Sequence, residues 1–348
     1  MNARRLGILV LLGVLVLGAA VWRSRPAADA RNPDVGRVLL PALAAHLDSI
    51  RSIRLLTPAP AAPVTLEATE GGWRVKESEY PADAARVRRL LLALAELKIV
   101  EVKTADPARY ATLGVEEPTA PGAKSLRIEL EGTATPTALI VGRSAATQGS
   151  FVRVPGTAAT FEVRPALDVA RTAHDWLERG FLDLPPARIA AIRVERAGEP
   201  PWSAERAVRG AEHFTVPNLP KGAELTNLGA PDSSAAAFGN LEFDEVRATL
   251  PPPAGEKRHR TVIECFDGLI VTLTGAAAGP EHWLSVEAHL DAALAARFRA
   301  TAPKDAPSAE AIAREAARLN ATVAGHEYKV AAYRFDAIFR PRSELLRH

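Results

Sequence analysis

The sequence is poor in the residues on which most metal and redox motifs depend. Its 348 residues include one cysteine, Cys265, so the chain has no pair of cysteines for an internal disulfide. Eight histidines are present, but none stands in the HExxH or HxxxH pattern that places two zinc ligands on one helical face. We therefore expect no metal ion and no disulfide framework.

Nucleotide-binding and catalytic motifs are missing as well. No Walker loop occurs and no GxGxxG pattern opens a helix, so we expect no nucleotide. No GxSxG elbow presents a serine nucleophile. A net charge of +2, spread along the chain, gives no basis for nucleic-acid binding. We expect no cofactor and no enzymatic activity, although a hydrolase with dispersed catalytic residues would leave no motif.

Three local groups of polar residues are weak candidates for a site. Glu287 and His289 share one face of a predicted strand, whereas His282 points to the other face, which leaves a zinc site without a third ligand. The pair Glu116-Glu117 lies in a predicted turn and is expected to face solvent. The basic cluster Lys257-Arg258-His259-Arg260 is expected to be a solvated loop that enters a strand, with contact to an anionic lipid as the alternative.

One long apolar run is present, from Leu6 to Trp22, and it contains no charged residue. As a helix it would cover roughly 25 Å, near the lower limit for spanning a bilayer. Arg4 and Arg5 before it are also typical of a secretory signal peptide, but the run is longer than a usual signal-peptide core. The sequence predicts an uncleaved single-pass anchor over residues 1–25, with a cleaved signal as the alternative.

A short tail ahead of a large domain favours a cytoplasmic N-terminus. We therefore expect the chain to sit in the inner (cytoplasmic) membrane of a bacterium, with its body in the periplasm or extracytoplasmic space. The lone Cys265 agrees with this location, because exported proteins avoid free thiols. Its strand context predicts a partly buried small hydrophobe.

The rest of the chain alternates between strand and helix patterns, which is typical of the α+β class. Residues 26–50 are predicted to be a linker followed by an amphipathic helix. Residues 51–185 and 186–348 are predicted to form two related α+β modules of antiparallel sheet with packed helices. The apolar positions of the amphipathic helix are Leu39, Leu43, Leu47 and Ile50.

The second module repeats the order of the first. The predicted strand Ala191–Val194 corresponds to Ser52–Leu55 at an offset of 139 residues. Val262–Cys265 corresponds to Arg127–Leu130 at an offset of 135 residues. Because similar offsets relate further strands, the sequence predicts an internal duplication. A helical stretch over 308–323 has no counterpart in the first module.

A set of residues gives the chain its resemblance to a family. The set comprises Trp73, Tyr80, Pro81, Ala82, Asp83, Leu113, Gly114, Pro118, Gly142, Arg153 and Trp176. It resembles the bacterial family known as domain of unknown function 4340. The resemblance implies a membrane-anchored envelope protein, often encoded near ABC-type export or gliding-related genes. It implies no established reaction, so no catalytic, cofactor or metal residue is carried over.

These signature residues also have structural explanations. Pro81 suits the first position of a helix, and Asp83 suits its first turn. Gly114 and Pro118 shape a turn that requires a positive φ. Pro165 is predicted to begin a second helix that reaches Trp176.

The sequence thus predicts a non-enzymatic scaffold or accessory component of an envelope assembly of the ABC transport type. It would contact other envelope proteins through sheet edges or a module interface. The first alternative is a periplasmic binding module for a glycan, lipid or peptide, with its cleft between the modules. The second alternative is the hydrolase with dispersed residues.

Overall fold

A computed structural model describes most of the chain. The described ranges are residues 33–133, 137–146, 148–217, 219–251 and 257–347. The predicted anchor over residues 1–25 and the first part of the predicted linker lie outside these ranges. Within them, no helix combines the length and the apolar character needed to cross a bilayer. The described chain is α+β, with antiparallel sheets and few helices.

The elements alternate short strands with short helices. The strands are β1 (Ser52–Leu56), β2 (Val64–Thr69), β3 (Gly72–Val75), β4 (Tyr80–Pro81), β5 (Lys98–Val102), β6 (Leu126–Glu131), β7 (Thr137–Ala145), β8 (Gly149–Arg153), β9 (Thr160–Arg164), β10 (Gly180–Leu182), β11 (Ile189–Glu195), β12 (Trp202–Glu205), β13 (Leu241–Glu242), β14 (Glu245–Ala248), β15 (Arg258–Cys265), β16 (Leu269–Ala278), β17 (Glu281–Leu290) and β18 (His326–Lys329). The α-helices are α1 (Ala84–Glu96), α2 (Tyr110–Leu113), α3 (Ala230–Ala236), α4 (Ala292–Arg297), α5 (Ala309–Val323) and α6 (Ala332–Ile338).

The chain divides into two compact units. The first unit is Met1–Ala68 with Ala85–Thr172, and the second is Thr69–Ala84 with Ala173–His348. These two units are groups of residues that pack together, whereas the predicted modules are consecutive stretches of chain with a repeated order of elements. The predicted module boundaries at residues 51, 185 and 348 therefore stay a prediction.

The strands of the first unit follow the order β2-β1-β6-β7-β8-β9-β5, and their printed pairings are antiparallel. The alternation of apolar and polar residues explains the register, because it places every second side chain on the buried face. Ile53 pairs with Leu66 on one side and with Leu130 on the other. All three side chains are at most 2% exposed.

The second unit contains a seven-stranded sheet in the order β12-β11-β15-β16-β17-β18-β14. When the seven strands named for each unit are numbered in chain order, both sets follow the same order, 2-1-4-5-6-7-3. Ile192 on β11 pairs with Ala204 and Ile263, as Ile53 pairs in the first unit. The helix α5 lies in the connection between β17 and β18, where the first unit has only a short connection between β8 and β9.

The correspondence continues ahead of the first strand of each sheet. In the first unit the N–H of Gly36 donates to Ile99 (2.8 Å) and the N–H of Leu39 donates to Leu97 (2.7 Å). In the second unit β10 pairs with β13, with Leu182 opposite Leu241. Each unit therefore has a short leading segment that pairs with the chain at the start of its third strand.

Residues 33–50 correct one expectation. The predicted amphipathic helix is absent, and two 3-10 turns occur instead, at Leu43–Ala45 and Leu47–Ser49. Gly36 adopts φ of +88°, which no helix contains, and Pro41 has no N–H to continue one. The apolar side chains are buried by turns and by the pairing of this segment, without a helix.

Two predicted helix starts also need correction. Pro81 lies in β4 opposite Arg74, and α1 begins three residues later, directly after Asp83. The segment after Pro165 is not a helix but ends in a 3-10 turn at His174–Trp176. Its main chain is bound to the sheet instead, since the N–H of Leu167 donates to Ser150 Oγ (2.9 Å).

Candidate functional site

A cleft of about 590 Å³ opens in the first unit, at the end of β1 and the start of β6. Its walls are the β1–β2 loop and the loop ahead of β6, both rich in proline and alanine. The volume lies within the range of pockets that hold small molecules or short peptide segments. The lining residues are Leu56, Thr57, Pro58, Ala59, Ala61, Glu117, Pro118, Thr119, Ala120, Pro121, Gly122, Ala123 and Arg127.

Four signature residues build the turn that supports one wall of this cleft. The helix α2 ends at Leu113, and Gly114 follows it with φ of +70°, a conformation that disfavours any side chain. Gly142 on β7 lies against this turn, because a Cβ there would collide with the carbonyl oxygens of Leu113 and Gly114. The turn then leads to the buried Pro118 in the wall itself.

The side chain of Arg153 binds the same turn. Its side chain is 7% exposed, its Nε donates to the Val115 carbonyl (2.9 Å), and its Nη2 donates to Glu117 Oε1 (2.9 Å). The guanidinium also lies over the Tyr110 ring, 4.7 Å from the centroid. Five signature residues thus meet at this turn, namely Leu113, Gly114, Pro118, Gly142 and Arg153. The turn also carries Glu117, which Arg153 binds.

A chain of alternating charges includes the two charged residues of the cleft lining, Glu117 and Arg127. Glu117 contacts both Arg153 and Arg127, and its Oε2 lies 3.3 Å from Arg127 Nη1. Arg127 in turn lies 2.9 Å from Glu129, which is 3.8 Å from Arg54. The sequence analysis expected Glu117 to face solvent. Instead, the guanidinium groups of Arg127 and Arg153 both bind it.

One polar atom in the cleft is unsatisfied. Thr57 Oγ1 is buried and has no hydrogen-bond partner among the described residues. A buried hydroxyl without a partner costs free energy, so an unpaired one in a cleft wall invites a ligand or a water molecule.

The cleft is suited to binding and lacks the groups for common catalytic mechanisms. Its lining contains no histidine, cysteine, serine or aspartate. Its one carboxylate, Glu117, is paired with two arginines, and neither threonine has a neighbouring base in the lining. The chemistry that remains is recognition by Arg127, by Thr57 and by the main chain of the loops.

The other six signature residues lie in the second unit. The N–H of Ala82 donates to Trp73 (2.8 Å), the N–H of Asp83 donates to Trp176 (2.8 Å), and the N–H of Glu178 donates to Pro81 (2.9 Å). These bonds join the segment around β4 to the 3-10 turn at Trp176, whose side chain is 1% exposed. Their role here is structural.

Tyr80 belongs to an aromatic cluster of the second unit. Its ring meets Phe243 edge-on at 5.3 Å and lies 5.9 Å from Tyr328, which stacks on Phe181 at 4.5 Å. Burial raises the pKa of both phenols. Neither hydroxyl forms a well-directed hydrogen bond in the described chain, so the pair stays a neutral part of the core.

The weaker candidates do not form sites. In the described ranges, no three histidine, cysteine, aspartate or glutamate side chains approach one another closely enough to hold a metal ion. Glu287 and His289 therefore have no third ligand. Cys265 is fully buried, and burial raises its thiol pKa to about 12. His259 is buried as well, so the basic cluster is only partly a solvated segment.

The comparison with protein families decides the relationship. The family described as Domain of unknown function (DUF4340) matches residues 73–259, just over half of the chain. The chain belongs to this family. The resemblance inferred from the signature residues is thereby confirmed, and the domain of unknown function 4340 family carries no assigned activity in its description. No curated protein and no solved structure matches the chain.

Sequence reasoning missed the two residues that give the cleft its chemistry, Arg127 and Thr57. One signal was present, since Arg127 and Glu129 are alternate residues of one strand and must share a face. Arg54 reaches the same face only because β1 pairs with β6, with Arg54 opposite Glu129. That pairing is not visible in the local pattern.

Proposed function

We propose that this member of the domain of unknown function 4340 family is a non-enzymatic envelope protein, an accessory or scaffold component of an ABC-type transport assembly. In this proposal the apolar run Leu6–Trp22 anchors the chain in the inner membrane. The body occupies the periplasm or extracytoplasmic space and contacts other envelope proteins. The order that seven strands of each unit share supports two modules related by duplication.

The observation that carries the non-enzymatic role is the composition of the cleft. A hydrolase needs a nucleophile or an activated water beside a base, and the lining offers neither a histidine nor an unpaired carboxylate. A docking site needs a concave surface with a few fixed polar groups, which Arg127 and Thr57 supply.

Of the ligands considered for a binding module, the same cleft favours only a peptide. Glycan sites commonly use aromatic faces, and no aromatic side chain lines this cleft. Walls of proline and alanine with exposed main-chain groups suit a polypeptide segment better. We therefore treat peptide recognition as the means by which the accessory role is carried out.

The experiment is affinity purification of the intact chain from detergent-solubilised membranes, followed by mass spectrometry. The proposal expects the chain in the membrane fraction, together with the membrane and ATPase subunits of an ABC-type transporter in near-stoichiometric amounts. A matched control interrupts the apolar run with Leu11→Asp and Val14→Asp, which should release the body from the membrane. Recovery of the unaltered chain from the cytosol, or elution without any envelope protein, would contradict the proposal.

A further inference from the structure

The chain that follows the apolar run enters the first unit beside the end of helix α1. Residues 33–39, the entry segment, run antiparallel to the chain directly after α1, with Val38 opposite Lys98. The N–H of Leu39 donates to Leu97 (2.7 Å), and α1 ends at Glu96, one residue earlier. The entry segment and the C-terminal end of α1 therefore lie side by side.

The covalent chain limits how far this corner can lie from the membrane. Residues 23–32 are the ten residues that separate the apolar run from the entry segment. An extended chain spans at most about 3.6 Å per residue, so this stretch reaches no farther than about 36 Å. A tether of this length raises the effective concentration of lipid near the corner, so that even a weak contact with the membrane forms.

The solvent face of α1 combines positive charge with an apolar side chain. Ala85, Arg88, Arg89 and Leu92 have the i, i+3, i+4, i+7 spacing that places residues on one helical face, and all four are exposed. The opposite face is buried, which fixes the orientation of the helix. Its buried residues include Val87, Leu90, Leu91 and Leu94.

Leu92 has a counterpart in the entry segment. Among the described residues of the first unit, the exposed large apolar side chains are Val35 and Leu92, which are 44% and 41% exposed. Val35 directly precedes Gly36, whose N–H donates to Ile99 (2.8 Å), and Leu92 lies one helical turn before the end of α1. Both apolar side chains therefore lie near the point where the tether arrives, as in proteins that contact a membrane interface.

The positive charge of Arg88 and Arg89 is not compensated. Within the described ranges, neither side chain forms an ion pair or a hydrogen bond. The carboxylates at the two ends of the helix, Asp83 and Glu96, are not at the i, i+3 or i, i+4 spacing that would pair them with either arginine. Each neighbouring element carries one charge of each sign: Asp34 and Arg37 in the entry segment, Lys98 and Glu101 in β5, and Glu162 and Arg164 in β9.

From these observations we propose that the solvent face of α1 contacts the membrane in which the chain is anchored, with Arg88 and Arg89 bound to the phosphate groups of anionic phospholipids. Guanidinium groups suit phosphate because they donate two parallel hydrogen bonds to it. Leu92 enters the interfacial layer beside them. This inference rests on the proposed function, because the anchor supplies the tether, and it adds the class of lipid that orients the body.

The first test follows α1 in the intact chain, reconstituted into vesicles of phosphatidylcholine or of an equal mixture with phosphatidylglycerol. An environment-sensitive fluorophore is attached through Ala85→Cys, while the fully buried Cys265 stays unlabelled. Its emission should shift to the blue only in the mixed vesicles, and high salt should reverse the shift. The matched label is Ala317→Cys on the exposed side of α5, which should not respond. Equal responses in both lipids, or at both labels, overturn the proposal.

The second test measures affinity for the mixed vesicles by sedimentation, using the full chain with Leu11→Asp and Val14→Asp so that the anchor does not dominate. Arg88→Gln with Arg89→Gln should weaken binding about 5- to 30-fold, and Leu92→Ala about 2- to 5-fold. Replacing both arginines with lysine should retain most of the affinity, because the charge is kept.

The matched control for the charge is Arg314→Gln with Arg318→Gln, since these arginines are exposed on α5 in the second unit. This double variant should leave the affinity for the mixed vesicles nearly unchanged. Equal losses in the two double variants would overturn the proposal, because the binding would then depend on total charge and not on α1.

An acidic protein surface is the competing occupant. If Arg88→Gln with Arg89→Gln leaves vesicle binding intact but removes a co-purified envelope protein, α1 binds that protein and the proposal is wrong. A chain that inserts into phosphatidylcholine vesicles but shows no shift in the mixed vesicles overturns this inference alone. A normal shift without co-purified transporter subunits overturns only the accessory role.

Discussion

The two units of this chain are built on one strand order but differ at the end where the first two strands meet the fourth. In the second unit the Phe335 and Phe339 rings pack on Gly275 and His259 at that end, and Arg196 and Trp202 tie the loop after the first strand to the same segment. In the first unit the corresponding loop lines an open cleft. The difference teaches that one strand order can carry a tied loop in one unit and an open cleft in the other.

The largest expected effect comes from emptying the filled end. Phe339→Ala should lower the free energy of unfolding by about 3–5 kcal/mol, because the ring is fully buried and leaves a cavity. Urea unfolding of the intact chain in detergent measures the loss. Tyr333→Ala is the control in the same segment, and it should change stability by less than about 0.5 kcal/mol, since Tyr333 is 70% exposed. Equal effects of the two variants would show that this end is not packed as described.

The next largest loss of stability should follow the replacement of Arg153, which binds the turn that carries Glu117. Arg153→Gln should cost about 2–3 kcal/mol, because the Val115 carbonyl and Glu117 lose a buried charged donor. Arg127→Gln should cost less than about 1 kcal/mol, because this partly exposed arginine forms ion pairs that contribute little to stability. Thermal unfolding separates the two. If Arg127 proved as important for stability as Arg153, its charge would belong to the scaffold and not to recognition.

Two crowded glycines, one in each unit, sharpen the comparison further. Gly142→Ala and Gly275→Ala should each destabilise the chain by about 1–3 kcal/mol through overpacking. Gly142 should be the costlier site, since its neighbours are main-chain carbonyls, whereas at Gly275 two rings can shift. Denaturant midpoints of the two variants decide the order. A neutral Gly142→Ala would mean that the turn carrying Glu117 is not held against β7.

The smallest effect is the pH dependence that His259 contributes at the filled end. Burial, followed by the positive charge of Arg196, lowers the pKa of His259, and Asp336 opposes this. The Nδ1 of His259 accepts the N–H of Ala197 (3.0 Å), so this nitrogen is unprotonated in the folded state. The unfolded chain then binds more protons between the lowered pKa and the ordinary value near 6.5, and stability rises with pH across that window.

The measurement is the free energy of unfolding between pH 7.5 and the acid limit of the folded state. Stability should fall as the pH drops below about 6.5, by less than about 1.4 kcal/mol per pH unit. His259→Gln should remove that part of the slope, while His289→Gln at an exposed position should keep it. A slope unchanged by His259→Gln would place its origin elsewhere. At the register position of His259 the first unit has Leu126, which does not titrate.

Much of the fold could be predicted because strand patterns are local. The strands at Ser52 and Ala191 follow from alternating apolar residues, and their similar offsets indicate repetition. The helix expected over residues 35–50 was wrong, because spacing alone cannot reveal that Gly36 and Leu39 pair with a distant strand. The helix start predicted at Pro81 was wrong for the same reason, because Pro81 pairs with Arg74 as part of a strand.

The site was less predictable than the fold. The signature residues Gly114, Gly142 and Arg153 were found in the sequence, and the structure brings them to one turn. Arg127 and Thr57 were not found, because their importance depends on ion pairs and on an unpaired hydroxyl that only the tertiary register creates. Local pattern therefore reveals the supports of a site before it reveals the groups that contact a ligand.

Hydrogen exchange of the intact chain tests the contrast between the two units most directly. The account predicts slow exchange of the main-chain amides in residues 196–202, where Arg196, Ala197 and Trp202 bind other parts of the second unit. It predicts faster exchange in residues 57–61, where the corresponding loop lines the open cleft. Equal exchange in the two loops would contradict the account.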